Sequence, residues 1–397
     1  MTAENKDFLA SRINLNIGPS HPATHGTLRF MVELEGEKII KCVPEIGYLH
    51  RGFEKSAEKG TYTQVIPYTD RLNYCSAMIN NVGYVLAAEH LMDIKITERC
   101  RYLRVIISEL SRIMDHLVCI GANAVDIGAL TNFWYFFRVR EDIYDILEPL
   151  CGSRLTTAYT RIGGLMRDAD ENFAGRVKEL LNTKLPNALR DVDALLTRNK
   201  IFYDRTKNIG RISADDAKAY SITGPCLRAS GVAYDVRKAW PYLGYDEFDF
   251  NIAVDSGCDV YSRYLVRMQE MVESAKIVEQ ALERLPEGPV NGGGNYVDMP
   301  PKAKVYNEME ALIRQFKLVI EGVRPAAGET YFAVEGANGE LGFYIVSDGG
   351  TNPYRVRVRP PCFPILSAFP LMVEGGLIAD AVSTLGSLNI IAGELDR

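Results

Sequence analysis

The chain reads as an α+β protein that is mainly α: a central helical bundle with small antiparallel β elements near both ends. Three observations predict this. Residues 12–43 alternate apolar and polar side chains, the period of a half-buried strand. The middle of the chain carries apolar residues at helical spacing with modest loops, the pattern of a bundle. The C-terminal quarter returns to alternation in three short runs. No long repeat and no low-complexity linker interrupts the sequence, so an N-terminal part (1–60), a helical part (61–290) and a C-terminal α/β part (291–397) are expected to pack as one body.

In order, RINLNI and TLRFMVELEGEKIIKCV form the first β unit, with Glu35-Gly36-Glu37 as hairpin turn. Gly47-Tyr-Leu-His50-Arg51-Gly52 opens a short helical segment, and residues 73–92 form a helix. Residues 98–120 form the clearest helix: Leu103, Ile106, Ile107, Leu110, Ile113, Met114 and Leu117 share a face, and Thr97 suits the N-cap. Residues 131–150 form another, whose FWYFF cluster can bury a large area. Further helices are expected at 171–182, 187–199, 213–220 and 259–285, the last stopped before Pro286. Residues 291–300 (NGGGNYVDMP) are a loop and 303–317 a helix. TYFAVEG, ELGFYIVSD and YRVRVRPP are strands, with turns at Asn338-Gly339 and Asp348-Gly349-Gly350. A helix at 370–385 leads to the tail SLNIIAGELDR.

Composition narrows the function. Of 397 residues, 47% are hydrophobic and 24% charged, ordinary globular values. A formal charge of −6 and the lack of any nucleic-acid motif argue against a DNA or RNA surface. MTAENKDFLASR has no apolar core and is not Arg-rich, which argues against a signal or transit peptide. No apolar run is long enough to span a bilayer. The eight cysteines are scattered with no CxxC, so they read as reduced thiols rather than a zinc or iron–sulfur cage.

Two of the five histidines, His21 and His25, lie four apart in Gly18-Pro-Ser-His21-Pro-Ala-Thr-His25-Gly26. Proline fixes φ and glycine permits positive φ, so this is a stiff loop able to hold an imidazole for proton transfer. A plain structural turn accounts for the stretch equally well. Asp126 sits in the apolar GANAVDIGAL, where a satisfied carboxylate at a helix end is the simpler reading. Likewise Tyr74 reads as a core aromatic, and Arg51 and Arg161 as members of ion pairs.

GPSHPATHGTLR, GYLHRGFEK, DRLNY, ELSRIMDHL, DIGALTNFWYFFRVREDIYD, YTRIGG, GPCLRASGVAYDVRKAWPY, YSRYLVRMQEM and GELDR occur in this order across the whole chain. Together they closely resemble the 49 kDa subunit of respiratory complex I, known in bacteria as the D component. The resemblance implies a fold shared with the large subunit of nickel–iron hydrogenases. It also implies a quinone pocket in which His25 and Tyr74 hold the headgroup and Asp126 partners the histidine. The chain itself is expected to bind no cofactor, with quinone as substrate and a 4Fe–4S cluster in an adjacent subunit. Arg51, Thr156 and Arg161 are expected near that cluster. Implied partners are other complex I subunits: the cluster-bearing B component, the C component and the membrane-embedded H component. The chain would lie peripherally on the cytoplasmic face of a bacterial inner membrane. The whole complex would couple electron transfer from NADH to quinone with proton translocation.

Two departures stand out. Hydrogenases hold their metals with two CxxC pairs, whereas here Arg71-Leu-Asn-Tyr74-Cys75 has one cysteine and Gly393-Glu-Leu-Asp-Arg397 none. That disfavours a hydrogenase; a purely structural scaffold is the other rival. Thr156 stands where many members carry a histidine that couples the cluster potential to pH. Asn389, where relatives often carry an acid, is assigned no role.

Overall fold

The computed structural model describes residues 12–292, 294 and 297–397, so the expected 291–300 loop and the MTAENKDFLASR stretch lie partly outside the described residues. The central helix, Glu98–Asp126, starts where Thr97 accepts a hydrogen bond from the Cys100 amide. Leu103, Ile106, Ile107, Leu110, Ile113 and Leu117 are fully buried along it, each worth about 1.5–3 kcal/mol of hydrophobic stabilisation. It runs past the expected end at 120. The small residues of GANAVD continue the helix, and this extension puts Asp126 at its C-terminus.

Helices Ala77–Met92, Leu130–Cys151 and Val260–Glu283 pack around it. The FWYFF cluster buries less than expected. Phe136 is fully buried and Phe133 stacks on Phe137, but Trp134 is 63% exposed. The expected helices 171–182 and 187–199 are one run, Phe173–Thr197, with π-type turns at Leu180–Lys184 and Asp193–Thr197. Pro186 explains the first turn: the Leu185 amide bonds five residues back to Leu180, just before the residue that has no N–H to give.

Three antiparallel strands, Ile13–Ile17, Arg29–Glu35 and Lys38–Glu45, form the N-terminal sheet around the expected turn. A second antiparallel sheet comprises Gly328–Glu335, Glu340–Ser347 and Arg355–Arg359. The expected helix at 370–385 divides into Phe369–Val373 and Ile378–Leu388. Gly375, at φ +86°, breaks it, and the break bonds to the first sheet: Ile39 exchanges backbone hydrogen bonds with Gly375 and Gly376 at 2.8 and 2.9 Å. Leu28, Phe30, Val32 and Ile39 share a core with Cys362, Ile365, Phe369, Leu388 and Leu395. The N-terminal sheet and the C-terminal segment therefore share one core. Helices Tyr62–Thr69, Gly224–Arg228, Cys362–Ser367 and Ala392–Asp396 carry too little periodicity to be read from sequence.

Charges are buried in the main core. The Glu109 carboxylate accepts from Arg237 at 2.9 Å, Arg112 at 3.1 Å, Tyr245 at 2.7 Å and Ser274 at 2.7 Å. Burial opposes its charge, but the two guanidiniums and two hydroxyls win and hold it at about 2, from 4.5. A carboxylate so depressed lends stability that is full above about pH 4.5 and lost as pH falls through about 2. Glu109→Gln is expected to cost about 3–5 kcal/mol by leaving Arg112 and Arg237 undercompensated. A thermal melt unchanged from the parent would contradict this.

Candidate functional site

The site is built by three loops that close on the C-terminal segment. In the first, Gly18 sits at φ +92°, and a Cβ there would lie 1.8 Å from the Leu28 carbonyl oxygen. His21 caps the short 3-10 helix Pro22–Thr24 by accepting from the Ala23 amide at 3.2 Å. The Thr24 hydroxyl reaches the carbonyls of His21 and Gly26 at 2.7 and 2.8 Å. His25 ends this turn in the left-handed region (φ 51°), a conformation costing a non-glycine residue about 1 kcal/mol. The strained backbone presents Nε2 to Asp126 Oδ2 at 2.5 Å, across 101 positions of sequence. Asp126 is thus the bonded helix-end carboxylate that pattern suggested, and its partner is the loop histidine. A proton on His25 faces both a carboxylate and the negative end of a long helix.

The second loop, 70–76, follows the Tyr62–Thr69 helix. Buried Asp70 accepts from the Ala158 amide at 3.1 Å and from Asn81 at 2.9 Å, and burial pushes its carboxyl upward. Asn73 donates to Asp115 of the central helix at 2.7 Å and accepts from the Cys75 amide at 3.1 Å. Tyr74 begins a 3-10 turn rather than the α-helix expected from 73. It is half-buried, and its hydroxyl has no hydrogen-bond partner among the described residues. Burial first, then Cys75, Asp115 and Cys362, raise its phenol above the ordinary value of 10.

The C-terminal segment joins these loops. A Cβ on Gly26 would lie 3.2 Å from the Ala392 Cβ, and one on Gly393 would lie 2.4 Å from the Arg71 carbonyl oxygen. The third loop, 47–51, is held by Asp396, whose carboxylate accepts from the Gly47 and Leu49 amides at 3.0 and 2.8 Å. His50 Nδ1 lies 2.7 Å from the Asp396 carbonyl oxygen.

Arg51 and Arg161 do not pair with acids as their local sequence suggested. Arg51 donates to the Arg71 carbonyl at 2.5 Å, and Arg161 to the carbonyls of Ala158 and Thr160. Burial lowers both guanidiniums; Arg71 adds to this at Arg51, and Asp70 opposes it at Arg161. Thr156 is half-buried in the loop that Asp70 ties down at Ala158. Asp70 bonds the loop next to Thr156 and lies within charge range of Arg161, while Arg51 bonds the residue that follows Asp70.

Sequence reasoning missed the polar residues of the C-terminal segment. Asn389, which pattern gives no role, donates to Asp115 at 2.6 Å and is bonded to Asn338 at 2.7 Å. Buried Glu394 accepts from the Cys362 amide at 3.0 Å. Their available signal was polarity inside SLNIIAGEL, an otherwise apolar tail. Among the described residues, no three His, Cys, Asp or Glu side chains are grouped to hold a metal ion, and no helix is long and apolar enough to cross a membrane.

Comparison with known proteins matches residues 126–397 to the family described as respiratory-chain NADH dehydrogenase, 49 kDa subunit. The chain belongs to this family. It is 52% identical over 96% of its length to the joint C/D component of the NADH-quinone oxidoreductase of Bdellovibrio bacteriovorus, covering 68% of that protein. It is 50% identical to the D component of the same oxidoreductase in Myxococcus xanthus, over 97% of this chain and 93% of the relative. The D component of Geotalea uraniireducens is also 50% identical, over 97% and 98%. The family makes this chain part of an oxidoreductase complex, and its mainly helical body with small antiparallel sheets near both ends agrees with the fold class read from the sequence.

The close seat of Gly393 yields a test. Gly393→Ala pushes a methyl against the Arg71 and Leu72 carbonyls, both backbone and unable to swing away. We expect a loss of about 1–3 kcal/mol, read as a lowered melting temperature. Gly175→Ala, which meets nothing within 4 Å and lies in a helix, is the control expected to melt no lower than the parent.

Proposed function

We propose that this chain forms the quinone-reducing pocket of its respiratory complex, with the headgroup between His25 and Tyr74. One observation carries the reading: the 391–396 segment touches both the His25 loop and the Tyr74 loop, so an imidazole–carboxylate pair and a hydroxyl without an internal partner serve one region. A quinone has two carbonyl oxygens, and each takes up a proton as two electrons arrive. His25 offers a proton to one oxygen while Asp126 orients the ring and balances the charge. Tyr74 offers a phenolic donor to the other oxygen. Transient loss of the His25 proton would change the charge at Asp126, and this is where we place the first step of coupling to proton translocation.

Electrons arrive from a 4Fe–4S cluster in the neighbouring B component, which we seat against Arg51, Arg71, Thr156 and Arg161. Fixed cations there favour the reduced cluster and raise its potential. The C component is a second neighbour, a reading supported by the Bdellovibrio relative, whose name joins C and D in one protein. The membrane-embedded H component is the third, with the complex on the cytoplasmic side of a bacterial inner membrane. A scaffold role alone would leave the His25–Asp126 pair and the unpartnered Tyr74 hydroxyl without purpose.

Tyr74→Phe is expected to lower quinone reduction by at least about tenfold while transfer to an artificial acceptor upstream persists. Persistence of both rates would favour the scaffold. Thr156 cannot titrate, so the potential of the neighbouring cluster is expected to vary with pH by much less than about 59 mV per unit, the one-proton limit of a one-electron couple. Potentiometry at several pH values checks this.

A further inference from the structure

The helix Ile378–Leu388 supports both halves of the His25–Asp126 pair. Its Ala381, Val382 and Leu385 line an apolar cavity together with Ala23 and Thr24 of the His25 loop. Gly386, one turn after Val382, faces the end of the central helix. A Cβ there would lie 2.8 Å from Asn123 Oδ1 and 3.0 Å from Asp126 Oδ2. The Gly386 carbonyl lies 3.9 Å from the sulfur of Cys119, one turn before Asn123, so the two helices touch along this face.

The backbone gives no reason for a glycine at 386. The residue lies within the helix without a positive φ, and alanine is the better helix former. What the position requires is space. Both distances are too short for a non-bonded contact, so a methyl there displaces its neighbours. The two neighbours do not yield alike. Asn123 is buried, and its Oδ1 has no hydrogen-bond partner among the described residues, so that oxygen gives up no bond by turning away. Asp126 Oδ2 is the atom that meets His25 Nε2 at 2.5 Å, and His25 is the carboxylate's one hydrogen-bond partner among the described residues. That contact is already at the short limit of a hydrogen bond, so displacing Oδ2 can only lengthen or bend it.

Resting on the quinone reading, we propose that Gly386 is a positioning residue for quinone reduction: the space left by its missing side chain seats the Asp126 carboxylate against His25, and so keeps the imidazole aimed at the quinone oxygen. Gly386 has no side chain to offer the quinone and acts through Asp126. A methyl at 386 moves Oδ2 out of line, and the His25 ring loses the partner that orients it. The helix Ile378–Leu388 thereby sets the alignment of a histidine and a carboxylate that lie 101 positions apart.

Gly386→Ala in the whole complex tests this. The readout is reduction of a short-chain, water-soluble quinone, divided by upstream transfer to an artificial acceptor in the same preparation. The ratio is expected to fall by about tenfold or more, the scale of loss when a reacting group is displaced by a fraction of an ångström to an ångström. The fall is expected in kcat, with KM for the quinone within about twofold of the parent, since the lost alignment is that of the proton donor and not a contact with the quinone. In an Asp126→Asn background the same substitution is expected to change the ratio by less than about twofold, because the carboxylate it would displace is already gone. A packing defect alone would add the same factor in both backgrounds. A Gly386→Ala complex with the parent's ratio, or one with an equal fall in both backgrounds, overturns the proposal. Should Gly386→Ala not assemble, Gly386→Ala combined with Asp126→Ala decides, since the carboxylate then no longer fills the space: assembly supports the seat, and failure overturns it. Asp126→Asn by itself separates the two levels. If it retains full quinone reduction, the pocket reading itself fails; if it collapses while Gly386→Ala keeps the parent's ratio, only this inference does.

Discussion

Asp115 is the constraint on which the site depends. It is fully buried in the central helix, and each of its oxygens is taken by an amide: Asn73 on one side and Asn389 on the other. A buried carboxylate costs several kcal/mol unless its lone pairs are satisfied. Asn73 belongs to the Tyr74 loop and Asn389 to the C-terminal segment. The same two bonds that make the charge tolerable therefore tie both segments to the bundle. Asn389 ends the Ile378–Leu388 helix in the left-handed region, at φ 56°, which turns the chain so that Ala392 and Gly393 run past Gly26 and Arg71.

Around this node the interior is crowded with charge. Arg228 meets Glu270 at 2.5 Å and Glu335 at 2.8 Å, and Arg237 meets Asp235 at 2.6 Å. Arg104 makes a two-pronged pair with Glu89 at 2.7 Å. His116 lies 2.7 Å from Glu270, yet burial pulls its imidazole downward more than the carboxylate lifts it. Such pairs add little net stability compared with well-packed apolar residues. Their geometry is specific, however: each guanidinium fork accepts one arrangement of partners. They join the central helix, the Gly224–Arg228 helix and the 328–335 strand in one register, which a uniform apolar core would leave looser.

The two ends of the proposed quinone pocket differ in kind. The His25–Asp126 pair is partly open, with side chains 23% and 16% exposed. The Tyr74 end is closed in by the buried groups Cys75, Asp115 and Cys362. A donor at the open end can be refilled directly. A donor at the closed end is governed by the charge of the groups around it.

Much of this was legible in the sequence because it is local. The central helix, its Thr97 cap, both hairpin turns and the stiff His25 loop follow from spacing and from glycine and proline chemistry. The family followed from nine ordered motifs, since each constrains residue types over a few positions. The partner of Asp126 did not follow from local pattern: it lies 101 residues away, and its bond exists only because the extended helix and the 18–29 loop end at the same place. Nor did the breaks in the 173–197 and 369–388 helices, which depend on where Pro186 and Gly375 meet neighbouring backbone. Asn389, Cys362 and Glu394 looked like scattered polar residues in apolar stretches. Sequence alone determined the elements, the family and the types of side chain available for chemistry. Tertiary structure alone decided which of them touch, because burial and long-range packing set the partner and the charge of each group.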